Sequence, residues 1–349
     1  MAVPDTPAVV IDVAAAKANI ARVQGHLSAL GLDVRPHIKT HRLARLAKAQ
    51  IEAGAVGICC QKLGEAEVMA DAGIGDILIP YNIVGARKLD RLVALARRVA
   101  MSVSADSDAV VQGLSGAFVD EPPLPVLVEC DTGAGRCGVQ SPKAAARLAQ
   151  VIAGSAGLSF AGLMTYPPMG RTAEVEDWLS DARHRIEAAG LKCSRISTGG
   201  TPNLHEIAEI KSATEHRPGT YIYNDRSLLA AGLCAPGDCA LTVLSTVVSC
   251  PVEKRAILDA GSKALTSDLL GLDGYGLIVG HPEARITALS EEHGHVDLGG
   301  SDWHPKVGDQ IAIIPNHACV VSNLFDRVFF RQSGTTYEPV AVDARGRST

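Results

Sequence analysis

The chain has 349 residues and a formal net charge of −5, and hydrophobic residues make up 47% of it. This length and apolar content predict a substantial folded core and exclude a disordered protein. The small negative charge, without a basic block, argues against nucleic acid as a partner. No apolar run is long and charge-free enough to cross a bilayer, and the N-terminus lacks a signal-peptide pattern, so we expect no membrane partner.

Nine cysteines are scattered along the chain without the spacing of a disulfide framework. An odd number of cysteines in a chain of this size is typical of a reducing compartment, in which most thiols are buried. We therefore expect a cytoplasmic protein.

Strand, polar loop and helix are predicted to alternate about eight times in roughly the first 235 residues. This period and length are typical of an α/β protein with a (β/α)8 TIM barrel, and a doubly wound parallel sheet is the alternative. The low aromatic content fits helices packed on a parallel sheet. The clearest predicted strands are Val56–Cys60, Asp76–Pro80, Val99–Val103, Pro125–Cys130, Leu158–Met164 and Arg195–Ser197.

The composition changes after about Gly237, where β-branched residues become frequent and Gly and Asp separate short apolar runs. This pattern predicts an antiparallel β domain with strands at Leu241–Ser249, Arg255–Asp259, Gln310–Ile314 and Asp326–Phe330. The strand predicted at Ala8–Asp12 is a candidate to join this domain, because chain ends often meet. We expect a barrel at residues 12–236 and a β domain at 237–349 together with 1–11.

Lys39 lies in the polar heptapeptide Arg35–His41, between the strand-like Gly31–Val34 and a stretch with helical apolar spacing, Arg42–Ile51. Strand-to-helix junctions of a (β/α)8 barrel lie on its catalytic face. A lysine at such a junction is a candidate for Schiff-base chemistry, and the alternative from spacing alone is a solvated surface lysine.

Two neighbouring late junctions carry a pattern suited to phosphate. Ser197–Pro202 is a glycine-rich turn before a helix, and backbone N–H groups at such turns bind anions well. The alternative is an ordinary loop that ends in a helix cap. Gly219–Tyr221 follows at the next junction, and barrels commonly form one phosphate site from two such loops.

Two further loops carry candidate side chains. Arg136 follows a strand that bears Glu129 and Asp131, so it can orient an oxyanion or phenolate, or pair with one of these acids. Tyr166 ends another strand and can hydrogen-bond a ring nitrogen, stack, or cover apolar surface.

His317 and Cys319 follow a predicted strand of the β domain. In an extended segment, positions two apart face the same side, so the imidazole and the thiolate can converge on one ion such as zinc. Two ligands alone are a weak signal, because such residues are more often core or surface. A second polar cluster, Glu291–His295, is best interpreted as a hairpin turn, and the alternative is that His293 or His295 lies at the metal site.

These loops together resemble one family. The cofactor-lysine motif is Arg35–His41, and the other matching motifs, in the same order, are Cys60–Glu67, Asp131–Gly138, Thr198–Thr201 and Pro315–Cys319. The chain resembles the D-threonine aldolase and D-serine dehydratase group of fold type III pyridoxal 5′-phosphate (PLP) enzymes, which are related to alanine racemase. The resemblance implies a PLP-binding barrel followed by a β domain, usually as a homodimer.

The resemblance also implies roles for individual residues. Lys39 would bind PLP as a Schiff base, and it would be catalytic together with His317 and Cys319. Gln61 and Arg136 would lie near the cofactor ring and its phenolate oxygen, and Tyr166 near the pyridine nitrogen. The residues implied to line the phosphate are Thr198, Gly199, Gly200, Thr201, Gly219, Thr220 and Tyr221. His317 and Cys319 would bind a divalent metal, which could be Zn, Mn or Mg.

The implied activity is that of a lyase acting on small β-hydroxy-D-amino acids, most closely a D-threonine aldolase that forms glycine and an aldehyde. One departure favours the alternative, a D-serine or D-threo-3-hydroxyaspartate dehydratase that forms a keto acid and ammonia. Typical aldolases have His-x-Asp at the metal, whereas this chain has His317-x-Cys319. An amino-acid racemase is less favoured, because it needs a second base on the opposite face of the cofactor and no metal.

Overall fold

The computed structural model describes residues 3–332, 334 and 336–349. It comprises two compact units. The barrel unit consists of Arg22–Lys39, Ala44–Gly219 and Gly346–Thr349, and the β unit consists of Met1–Ala21, Thr40–Leu43 and Thr220–Arg345. The domain limits expected from the sequence, 12–236 and 237–349 with 1–11, stay a prediction.

The described residues form strands and helices in the following order. The strands are β1 Ala8–Asp12, β2 Asp33–Val34, β3 Ile58–Cys59, β4 Asp76–Ile79, β5 Ala100–Ala105, β6 Leu124–Cys130, β7 Leu158–Thr165, β8 Ile196–Gly199, β9 Glu215–Arg217, β10 Leu241–Val252, β11 Arg255–Leu258, β12 Leu277–Ile278, β13 Arg285–Leu289, β14 Gly294–Asp297, β15 Gln310–Ile314, β16 Arg327–Arg331 and β17 Tyr337–Ala341. The α-helices are α1 Val13–Ala29, α2 Ala44–Glu52, α3 Leu63–Asp71, α4 Ala86–Ala96, α5 Asp108–Phe118, α6 Pro142–Gly154, α7 Thr172–Ala188, α8 Arg226–Ala230, α9 Ser262–Leu265 and α10 Ala318–Leu324. Short 3-10 turns occupy Ile38–Thr40, Pro202–His205, Ile207–Glu209, Thr220–Ile222 and Pro236–Asp238. In the part of the chain that is described, no helix is both long and apolar enough to span a bilayer.

The barrel unit contains the eight parallel strands β2–β9, and from β3 to β9 each strand pairs with the next one along the chain. β9 also pairs with β2. The ring is completed by hydrogen bonds from Val56 N to Val34 O (3.0 Å) and from Cys59 N to Pro36 O (2.8 Å). The predicted (β/α)8 barrel is therefore confirmed, and the closure excludes the doubly wound sheet.

A buried ion network lies inside the barrel unit. Glu215 accepts hydrogen bonds from Arg35 Nε (2.8 Å) and Arg195 Nη2 (2.8 and 2.9 Å), and also contacts the Ser197 hydroxyl. Burial by itself would raise the pKa of Glu215, but the two guanidinium groups more than offset this and hold the pKa below its ordinary value. Arg35 also bonds Asp76 (2.5 Å). The network thus links the segment after β2 and strand β4 to strand β9 and the segment before β8.

The β unit is built on one nine-stranded sheet. Its central strand β10 pairs antiparallel with β1, β11 and β15, and β1 also pairs in parallel with β16. The N-terminal strand Ala8–Asp12 therefore belongs to this sheet, as predicted. The predicted strand at Gln310–Ile314 is also confirmed.

The helix that follows Lys39 starts later than the apolar spacing predicts. The pattern predicts a helix from Arg42 to Ile51, but α2 spans Ala44–Glu52. The reason is the backbone of Arg42, which has a φ of 55° and so lies in the left-handed region that a right-handed helix excludes.

We expect Glu215→Ala to lower the free energy of unfolding by about 3–5 kcal/mol, because it leaves two guanidinium groups without their shared buried carboxylate. Urea unfolding followed by circular dichroism measures this change. Because the folded-state pKa is depressed, the contribution of Glu215 is present above the ordinary glutamate pKa and is lost as the pH falls through the folded value.

The matched control is Glu121→Ala, which removes a carboxylate paired with Arg97 on the surface and should change stability little. Equal effects of the two substitutions would show that the buried network does not stabilise the barrel.

Candidate active site

Lys39 lies half-buried in the 3-10 turn that follows β2, at the C-terminal edge of the barrel sheet. Its backbone N–H donates a long hydrogen bond to His37 Nδ1 (3.4 Å), and His37 Nε2 lies 3.0 Å from Gln61 Oε1. Since Nδ1 accepts, Nε2 carries the proton and donates to Gln61. Glu65 Oε2 accepts from the backbone N of Gln61 (2.6 Å). The predicted residue Gln61 is thus fixed through both its side chain and its backbone.

Gly200 shapes the glycine-rich loop after β8. Its φ is +104°, and a Cβ there would lie 3.0 Å from Asn203 Nδ2 and 3.1 Å from Tyr166 Cε2. Asn203 Nδ2 also donates to the carbonyl of Gly199 (3.1 Å). The structure therefore brings the predicted residues Gly199, Gly200 and Tyr166 together around an amide-rich turn that no larger residue would fit.

His216, a residue that the sequence reasoning missed, hydrogen-bonds the same loop. Its Nε2 donates to the carbonyl of Gly200 (3.0 Å), so its Nδ1 accepts from the Thr198 hydroxyl (2.8 Å). Desolvation by complete burial lowers the pKa of His216 to about 4. The ring is therefore neutral near pH 7. No sequence signal marks His216, because its role comes only from its contacts with the loop after β8.

Two further predicted residues, Thr201 and Gly219, also meet in the barrel unit. The backbone N of Gly219 donates to Thr201 Oγ1 (3.2 Å), which joins the loops after β8 and β9. The two glycine-containing loops predicted to form one phosphate site are therefore in contact.

Arg136 stacks over Tyr166, with 5.2 Å between the guanidinium carbon and the ring centroid. Asp131 is engaged elsewhere, because its Oδ1 accepts from the backbone N of Gly133 (2.9 Å) and of Gly135 (3.1 Å). Burial raises the pKa of Glu129, and the positive charge of Arg136 opposes this shift only in part. The structure therefore places two predicted cofactor residues, Arg136 and Tyr166, in contact.

In the β unit, the local backbone at His317 and Cys319 differs from the prediction. An extended segment was expected through both residues, but only His317 is extended (φ −137°, ψ 96°), and it caps helix α10. Cys319 therefore lies in the first helical turn. The two side chains nevertheless meet. Burial alone would raise the pKa of Cys319, but hydrogen bonding to His317 and to nearby hydroxyls lowers it overall.

The hydroxyls that face Cys319 belong to Thr40 and Thr220. Thr40 Oγ1 lies 3.1 Å from Cys319 Sγ, and Thr220 Oγ1 lies 3.5 Å from it. Thr220, predicted to line the phosphate, is thus next to a predicted metal ligand. Tyr221 is buried in the same 3-10 turn.

The His317 ring also faces a residue that the sequence reasoning missed. His317 Nδ1 lies 2.6 Å from Asp268 Oδ2. Among the described residues, no three His, Cys, Asp or Glu side chains surround a point that could hold a metal ion. A metal here would therefore take two protein ligands, an imidazole and a thiolate, which is a donor set suited to zinc.

The cluster Glu291–His295 spans the turn between β13 and β14 and the first two residues of β14, so the predicted hairpin is confirmed. His295 Nε2 hydrogen-bonds Ser290 Oγ (3.0 Å) within the hairpin, and Glu291 pairs with Lys263 (2.9 Å).

Comparison with known families gives two matches that together cover most of the chain. The alanine racemase N-terminal domain matches residues 11–227, and a family described as "Putative serine dehydratase domain" matches residues 240–330. The chain belongs to the D-threonine aldolase and D-serine dehydratase family of fold type III PLP enzymes.

Similar proteins include both aldolases and dehydratases, which are lyases. A D-threonine aldolase of Arthrobacter sp. is 34% identical over 99% of this chain and 93% of its own length. The crystal structure of D-threonine aldolase from Filomicrobium marinum has a TM-score of 0.92 and 32% identity, and covers 100% of this chain and 99% of that one.

A D-threo-3-hydroxyaspartate dehydratase of Delftia sp. (strain HT23) is 31% identical over 92% of both chains. A cysteine-to-alanine variant of a D-threo-3-hydroxyaspartate dehydratase has been solved in a form described as metal-free, with a TM-score of 0.87 and 29% identity over 96% and 97% of the two chains.

We expect Gly200→Ala to weaken PLP binding by about tenfold or more, because a left-handed backbone costs an L residue roughly 1–2 kcal/mol and relaxing it moves the loop amides. Titration of the apoprotein with PLP, followed by absorbance, measures the affinity. The control is Gly116→Ala in helix α5, where a Cβ meets nothing within 4 Å. An unchanged affinity for Gly200→Ala would remove this loop from the cofactor site.

Proposed function

We propose that the protein is a PLP- and divalent-metal-dependent carbon–carbon lyase of the D-threonine aldolase type, which cleaves β-hydroxy-D-amino acids to glycine and an aldehyde. The observation that carries the proposal is the contact between His317 and Cys319, in a chain that aligns along 99% of its length with a D-threonine aldolase. A racemase has no need of such a ligand pair. A protein that consisted only of a PLP-binding barrel would lack this ligand pair, because both residues belong to the β unit.

The residues of the barrel unit fit PLP. Lys39 supplies an amine at a strand end to bind the cofactor covalently, and the loop around Gly200 supplies backbone amides for its phosphate. Arg136 and Tyr166 would flank the ring. Gln61, whose side chain is held by His37, would also lie near the ring. When bound, PLP accepts the electron pair released as a bond to Cα breaks.

The residues of the β unit fit a divalent metal. The His317 imidazole and the Cys319 thiolate would be the ligands, and the hydroxyls of Thr40 and Thr220 stabilise negative charge on the sulfur. When bound, the metal supplies a positive charge that lowers the pKa of a hydroxyl group coordinated to it. In the aldolase reaction that group would be the β-hydroxyl of the substrate. Its proton would pass to a base, the C–O bond would become the carbonyl of the aldehyde, and the Cα–Cβ bond would break.

A dehydratase, a carbon–oxygen lyase, is the second candidate, and Cys319 favours it. One similar structure is a cysteine-to-alanine variant of a D-threo-3-hydroxyaspartate dehydratase in a metal-free form. In the dehydration, Lys39 would take the Cα proton and the β-hydroxyl would leave as hydroxide, whose negative charge a bound metal would offset. Keto acid and ammonia then form by hydrolysis. Both reactions use the same side chains and differ in which bond at Cα is broken.

We expect the purified protein to be yellow, and borohydride to bleach it and fix the cofactor on Lys39. Lys39→Ala should lose the visible band, because the covalent link to Nζ is then impossible. Lys48→Ala, on the nearby helix α2, serves as the control and should keep the band. A colourless protein that gains no colour with added PLP would contradict the whole proposal.

We expect D-threonine to give glycine and acetaldehyde only when zinc or manganese is present, as measured by product analysis with and without chelation. His317→Ala and Cys319→Ala should lose this activity and keep the yellow colour, whereas Cys250→Ala, at an exposed cysteine, should keep both.

Two outcomes would change the assignment. Ammonia and a keto acid from D-threonine or D-serine would make the protein a dehydratase. Activity that survives both ligand substitutions and exhaustive chelation would remove the metal from the reaction.

A further inference from the structure

We infer that Asp268 is a positioning residue for the metal, which holds the His317 ring so that Nε2 is the nitrogen presented to the ion. This inference deepens the proposed function and rests on the metal site proposed there. Asp268 would not touch the metal. It would act through His317 alone.

The first support is the contact between the two side chains. His317 Nδ1 lies 2.6 Å from Asp268 Oδ2. An ionised carboxylate can only accept, so Nδ1 carries a proton towards Asp268, and Nε2 is the ring nitrogen left to bind an ion. Histidines that bind metals commonly donate their other N–H to a carboxylate, which fixes the tautomer and the ring orientation. The carboxylate thus selects one of the two ring nitrogens.

The second support is the strained turn that aims Asp268. Thr266 ends helix α9 with a φ of +65° and a ψ of 165°. Residues other than glycine rarely adopt this backbone conformation. It is buried, and its Oγ1 accepts from the backbone N of Asp268 (3.1 Å). Strain of this kind persists where the surrounding structure over-determines the backbone, and it clusters at functional sites. The turn therefore sets the direction of the carboxylate.

The third support is Asn316, which precedes His317 in the chain. Its Nδ2 donates to the carbonyls of Asp268 (3.3 Å) and Gly274 (2.9 Å). Arg226 Nη1 in turn donates to Asn316 Oδ1 (3.0 Å) and to the Gly274 carbonyl (3.1 Å). The loop that carries Asp268 is thus fastened directly beside His317. Two independent links, one through side chains and one through the backbone, hold the carboxylate against the ring.

Loss of the carboxylate should weaken metal binding without abolishing it. For Asp268→Ala we expect about a 10–100-fold rise in the zinc dissociation constant, the usual cost of losing an outer partner of a ligand. Asp268→Asn keeps an acceptor oxygen without the charge and should fall between the wild type and Asp268→Ala. Asp273→Asn is the matched control, because Asp273 lies on the same loop but pairs with Arg285.

The test is zinc affinity of the PLP-loaded protein, measured by competition with a chromophoric chelator. A second readout is the cobalt-substituted protein, in which the charge-transfer band from Cys319 should persist in Asp268→Ala while the ligand-field bands shift. An unchanged zinc affinity for Asp268→Ala would overturn the inference. A loss as complete as that of His317→Ala would also overturn it, since Asp268 would then be a ligand itself.

The same measurements separate this inference from the proposed function. If His317→Ala binds zinc as the wild type does, the proposed metal site fails. If His317→Ala loses zinc while Asp268→Ala retains wild-type affinity, the metal site stands and only the role of Asp268 fails.

Discussion

The constraint on which the barrel unit depends is the parallel closure of its eight strands. Parallel strands in a ring present all their C-terminal ends at one edge, so residues far apart in sequence are gathered there. Lys39 follows β2, Gln61 follows β3, and Tyr166, Gly200 and Gly219 follow or end the last three strands of the ring. Almost two hundred residues separate the first of these from the last. The ring, rather than any local motif, makes them one set.

Strand β9 both stabilises the closed ring of strands and shapes the loops of the candidate site. Its three residues are buried and polar. Glu215 faces Arg35 and Arg195, His216 holds Thr198 and Gly200, and Arg217 donates to the carbonyl of Thr165 (2.9 Å). Buried polar groups are tolerated only when their hydrogen bonds are satisfied. In this strand the partners that satisfy them are the neighbouring strands and the glycine-rich loop, so the fold and the shape of the site share the same interactions.

The sequence predicts what local patterns encode, and it misses what only distant contacts create. The barrel, the N-terminal strand of the β sheet and the Lys39 junction follow from apolar runs and from polar residues at their ends. Helix α2 could not be placed correctly, because the left-handed backbone of Arg42 has no signature in a non-glycine residue. His216 and Asp268 were missed for another reason. They gain their roles from partners 18 and 49 positions away in the chain.

The proposed metal site has only two protein ligands, so it would depend strongly on the groups around them. Where four side chains bind an ion, a misplaced ligand costs only part of the metal affinity. With two ligands, each would contribute a larger part of that affinity. The Cys319 sulfur is flanked by the hydroxyls of Thr40 and Thr220, and the His317 ring is held by Asp268. Each ligand thus has its own supporting contacts. Preorganisation of this kind would lower the entropy lost on metal binding. With only two protein ligands, the proposed site would keep coordination positions open for a hydroxyl group.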